Sequence, residues 1–246
     1  MATAIHKIDP QADTVLVLKN PNASFASWGS NNLEENATMS IEHPVGGDAD
    51  AQARDQTASI TTSLCEASLA DGCVPGEEVH YHVSSRHLTL ASPTFAGMLS
   101  GENWKEGIRD EVDDRYYLTA SDWDAEALLV IFSVLHHRNR LVPRTVSLEL
   151  LAKLAVLIDY YGCAEALESF TERWVEQLRR ASPVPALVCR DLMLWMCVAW
   201  VLRLPGEFAQ TTTVAIRRDG EELPTLGLPI VSCVGKSANW DEVTCD

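Results

Sequence analysis

Ser121 to Leu178 reads SDWDAEALLVIFSVLHHRNRLVPRTVSLELLAKLAVLIDYYGCAEALESFTERWVEQL, and this stretch decides the fold. Three apolar patterns at helical spacing follow one another in it. The first carries Leu128, Ile131, Phe132 and Leu135. The second carries Leu150, Leu151, Leu154, Leu157, Ile158 and Tyr161. The third carries Leu167, Phe170, Trp174 and Leu178, with Glu168, Glu172, Arg173 and Glu176 between them. The first two are apolar on most sides and are expected inside. The third is two-faced and is expected at a surface. Val142-Pro143 separates the first two helices, and Gly162 ends the second. Ser121 with Asp124 resembles a capping box at the start of the block.

Composition bounds the rest. The chain has 246 residues, 46% of them hydrophobic, enough for one or two domains with a real core. The formal net charge of −16 argues against nucleic-acid binding, which needs clustered Lys and Arg. Seven cysteines contain no C-x-x-C pair, so a structural zinc site of the usual spacing is not expected. The opening residues MATAIHKIDPQ show no apolar signal region, and an intracellular protein is expected, with nucleus and cytoplasm both open. The most apolar run, LMLWMCVAWVL from Leu192 to Leu202, has 11 residues. A membrane span needs ~20, so a buried helix is expected there and no membrane span.

Upstream of the helical block, residues 1–12 read as a flexible tail. Asp13 to Leu18 is β-rich and short. Residues 30–78 hold ten acidic residues and one basic residue, Arg54, with few large apolar side chains. Such a segment cannot offset its ordering entropy by burial and reads as an acidic disordered insertion. Glu78 to Val83 alternates like a strand. Ser84 or Ser85 can cap a short helix through Leu88 and Leu90. Ser92-Pro93 can open another, with Phe95, Met98 and Leu99 on its buried face. Gly101 and Gly107 bracket a loop that holds Trp104, and Asp113 to Leu118 can supply one more strand. Past the block, residues 186–217 read as a C-terminal helical extension, with one helix from about Ala186 to Leu204 and a shorter one toward Ile216. Residues 218–246 read as a loose tail.

This order of elements resembles the BTB/POZ domain. The residues that carry the resemblance are Val83-Ser84-Ser85-Arg86-His87-Leu88, Ala91-Ser92-Pro93-Thr94-Phe95, Leu118 to Asp122, the helix Ala125 to His137, and Leu154 to Cys163 with Asp159-Tyr160-Tyr161. The wording of these motifs looks most like fungal members. The resemblance runs over residues 13–180, interrupted by the insertion. It implies an α/β (α+β) fold, a small sheet packed against a helical cluster, here followed by extra C-terminal helices. It also implies a module that binds proteins, through self-association or partner docking, and is not an enzyme. Adaptor of a cullin-type ubiquitin ligase is one alternative. An enzyme whose site is gathered from distant residues is another.

The residues themselves offer little chemistry. His80 and His82 share one side of a strand but lack evident third and fourth metal donors. His136-His137 closes a helix, where partial negative charge favours imidazolium, so a cap is expected before a catalytic base. Gly235-Lys236-Ser237 ends like a phosphate-binding loop, but Ile230 stands where its first glycine belongs. No G-x-S-x-G and no H-E-x-x-H occurs. No catalytic residue, cofactor or metal is therefore expected. The candidate partner contacts are Trp104, an aromatic anchor in its loop, and the basic corner His136, His137 and Arg138.

Overall fold

Thr14–Lys19 (TVLVLK) is rich in β-branched residues and almost wholly buried, as a central strand should be. This strand, β2, lies in a four-stranded mixed sheet of order β1-β3-β2-β4. The others are β1 (Thr3–Lys7), β3 (Glu78–Val83) and β4 (Tyr116–Ser121). β2 runs antiparallel to β3 and parallel to β4, while β1 runs parallel to β3. In β3, Val79, Tyr81 and Val83 are buried and His80 and His82 half-buried, the alternation of a sheet with one face on a core. The computed structural model describes residues 3–28, 77–101, 105–217 and 223–230. The described residues belong to one compact unit. The acidic stretch 30–76, Trp104 and residues 231–246 lie outside the described residues.

The helices are α1 (Ser85–Ala91), α2 (Pro93–Leu99), α3 (Ala125–Leu135), α4 (Leu148–Tyr161), α5 (Ala164–Ala181), α6 (Arg190–Val201) and α7 (Pro205–Ile216). A short 3₁₀ turn covers Lys105–Gly107. α3 buries every residue from Val130 to Leu135 and packs on β3, α4 and α5. α4 buries Leu151, Leu154, Leu157 and Ile158, with α6 along it. α5 buries Leu167, Trp174, Val175 and Leu178 and turns its acidic residues outward. α6 is buried from Leu192 to Ala199, and no helix among the described residues is long and apolar enough to cross a membrane.

Polar side chains fix the joints. Ser92 Oγ accepts from Phe95 N at 3.1 Å and donates to Tyr161 O, which caps α2 and ties it to the end of α4. Gly162 closes α4 with φ +64, a conformation that favours glycine. Gly101 and Gly107 approach so closely that a Cβ on Gly107 would lie 2.3 Å from Gly101 N. Lys153 reaches Asp124 at 2.9 Å and Glu149 at 3.0 Å, and Arg190 reaches Glu149 at 3.0 Å and the carbonyls of Phe25 and Ala26. This chain of charges joins the starts of α3, α4 and α6 to the segment after β2.

Several local expectations change. Thr3–Lys7, read as tail, is β1, because an open edge of β3 gives its backbone groups partners. Neither Ser84 nor Ser85 caps α1 by its side chain in the expected way. Asp13 does so from the chain preceding β2, accepting from Ser85 N at 2.7 Å and from Ser85 Oγ at 2.5 Å. The cap of α3 is Asp124, which accepts from Ala127 N at 2.9 Å, and Ser121 belongs to β4. β4 begins at Tyr116 because Asp113 and Asp114 form a turn in which Asp114 has φ +56. The C-terminal helix starts at Arg190, not Ala186. The extension is no separate layer, since Met193 to Val198 and Ala215 share one core with the sheet and α3 to α5. Leu223 and Leu228, read as loose tail, are buried in that core.

Candidate functional site

A surface hollow able to receive another group lies beside β4. β4 ends the sheet, so one of its edges has no strand partner among the described residues. Its outward residues Tyr117, Thr119 and Ser121 are exposed. Next to it opens a cavity of about 250 Å³, bordered by Thr119, Ser121, Met98, Trp123 and Tyr160, with Phe95 and Tyr161 among its lining. The cleft follows from local rules. α2 brings Phe95 and Met98 because Ser92 and Pro93 start it there, and α4 ends at Gly162 with Tyr160 and Tyr161 in its last turn.

A chain of ring contacts leads from this mouth into the core. Trp123 and Tyr160 are 5.3 Å apart by centroids, Tyr160 and Tyr161 4.9 Å, and Tyr161 stacks on Phe95 at 4.4 Å. Such pairs add stability beyond their buried area. Tyr160 is half exposed at 53%, while Tyr161 is buried. Burial raises the Tyr161 phenol far above its ordinary value, so it stays a neutral donor and acceptor.

The basic corner behaves differently from the expectation. His136 is 8% exposed, so it offers a partner almost no surface. Its Nδ1 lies 2.8 Å from Phe132 O, and its Nε2 accepts from Ser84 N at 2.9 Å. Both contacts are satisfied at once by the neutral ring protonated on Nδ1. Burial lowers its pKa, with the charge of Arg138 acting the same way and Asp9 opposing. His136 therefore stitches the end of α3 to the start of α1. His137 and Arg138 are exposed, and Arg138 Nε donates to Ile8 O at 2.9 Å. Trp104 and Gly235 to Ser237 lie outside the described residues.

Other reactive groups are muted. Cys163 and Cys197 are buried, and burial pushes both thiols up to about 12, which withholds the thiolate a nucleophile needs. His80 faces Glu78 at 3.4 Å, and burial lowers the pKa of His82, with Arg115 and Lys7 adding to the effect. The donors that converge are elsewhere: Asp9, His87 and His136 each bring an atom within 4.8 Å of the other two. No sequence pattern links these three, which stand in a loop, a short helix and a helix end. A second hollow, of about 410 Å³, lies between residues 184–186 and Ala209, Gln210, Thr213 and Val214 of α7. No protein-family model and no curated protein matches this chain.

Proposed function

We propose that this chain is a BTB/POZ-like module that binds proteins, and that the cleft beside β4 seats the partner. The observation that carries the reading is the path of the chain. An antiparallel pair, β2 and β3, is followed by the helix pair α1 and α2. β4 then returns parallel to β2, and α3, α4 and α5 follow. That is the order the sequence resemblance implies. The cleft adds the features of a protein contact: a strand edge without a partner among the described residues, two aromatic side chains at its rim and a small hollow of mixed polar and apolar lining between them.

Tyr160 separates binding from folding, because it is exposed and its neighbour Tyr161 carries the packing. The Tyr160→Arg chain should keep its melting temperature within a few degrees. It should lose most of the chains that the native protein captures from its own cells, as read by quantitative mass spectrometry. Light scattering on a sizing column tells self-association from docking of a different chain. Equal capture by native and Tyr160→Arg protein would remove the cleft from the proposal. Absence of any captured chain, together with a strict monomer at tens of micromolar, would remove the function.

A further inference from the structure

We infer that Asp9, His87 and His136 form a site for one zinc-type divalent cation at the seam between the β1–β2 connection, α1 and the end of α3. Three observations carry it. First, the three side chains come from three separate elements, yet their donor atoms lie within 4.8 Å of one another. Second, His87 Nδ1 is buried and has no hydrogen-bond partner. A buried ring nitrogen left unpaired costs stability, and a metal is one of the few things that can use its lone pair. Third, His136 is already held as a metal-binding histidine usually is. Its Nδ1 is engaged with a backbone carbonyl, Phe132 O, at 2.8 Å, which fixes the tautomer and makes Nε2, now accepting from Ser84 N, the nitrogen open to exchange for a metal.

The donor set suits zinc or a similar borderline cation: two neutral imidazoles and one carboxylate, with a fourth position left to water. Zinc holds nitrogen and oxygen at about 2.0–2.2 Å, so neighbouring donors end about 3.3 Å apart. Closing from 4.8 Å asks for side-chain rotation of His87 and Asp9, both only partly buried. The ion would also take His136 Nε2 from Ser84 N, now 2.9 Å away. The nearby charge of Arg138 opposes it. These costs make the site weaker than the site of a structural zinc finger. Since His136 now ties α3 to α1, occupancy would couple metal to the anchoring of α1.

The test is titration of the full chain with zinc chloride by calorimetry. The thiols are first blocked under native conditions, so that cysteine ligation is silent. One zinc per chain is expected, weakened at least tenfold in His87→Gln and in Asp9→Asn and unchanged in His137→Gln. Asn retains the acceptor that Asp9 Oδ1 offers to Gln11 N, so the turn survives that change. Should a variant fold poorly, the histidine side-chain nitrogen spectrum of the native chain decides. Zinc must move the His87 and His136 resonances and spare His80 and His82. Absence of binding, or binding indifferent to both substitutions, or shifts confined to other histidines, would each overturn the site.

Discussion

Asp13 shows how one side chain can set the start of an element far along the chain. Both its carboxylate oxygens are taken by Ser85, and Arg109 lies 3.6 Å away. Burial works against its charge, but the bonds from the Ser85 hydroxyl and amide outweigh this and hold the carboxyl below its usual value. Asp13→Ala strands a helix-terminal amide and should cost ~1–3 kcal/mol in urea unfolding, while Asp13→Asn, which keeps an acceptor, should cost about half as much. Equal stability of all three chains would show that water replaces the cap. His136 is a second such residue. Its position at a helix end was readable, but its burial and its bond to Ser84 were not, because both depend on how α1 lies against α3.

At the level of elements, the ends of α4 and α7 invite direct tests. Gly162 has φ +64, and a Cβ there would meet Pro93 Cγ at 3.3 Å. Gly162→Ala should destabilise the chain by about 1–2 kcal/mol, the usual cost of left-handed backbone for an L-residue, with additional crowding of α2. Thermal unfolding reads this, and an unchanged midpoint would mean that α4 ends some other way. α5 and α7 are tied by Arg179 and Glu207, 2.6 Å apart, with the Glu207 side chain largely buried. The Arg179 bond holds the Glu207 carboxyl below its ordinary range, burial opposing it. In the unfolded chain that carboxyl titrates near pH 4.3, as an ordinary glutamate does. The unfolded state therefore binds the proton first as pH falls. The stabilisation is complete above about pH 5 and fades as pH drops through the lower folded value. Glu207→Gln should be less stable than the native chain at pH 7, and the gap should narrow as pH falls below about 4. A gap that persists unchanged at pH 3 would assign the contact to packing and not to charge.

Across the whole molecule, residues 1–28 and 73–246 make one unit without the acidic stretch. Lengthening or shortening a loop changes closure entropy only slowly. Replacing residues 31–76 with a short Gly/Ser linker should leave a single cooperative melt, followed by circular dichroism. A broad, non-cooperative transition would show that the stretch contributes to the core. The same scale explains what could be read beforehand. The helices of the 121–178 block, the Ser92-Pro93 start of α2 and the Gly162 stop of α4 all appear in the sequence, since helical periodicity and caps act over three or four residues.

Sequence alone therefore determined the mixed α/β class, the apolar faces and most helix limits, because each depends on neighbours along the chain. Tertiary structure alone decided that residues 3–7 join the sheet, that Asp13 caps a helix 72 residues away, and that α6 and α7 share the core. It also decided that Tyr160 and Trp123 frame one cleft and that Asp9, His87 and His136 meet. Those contacts join segments far apart in the chain and leave no periodic trace in it. They exist only once strand pairing and helix packing have brought their carriers together.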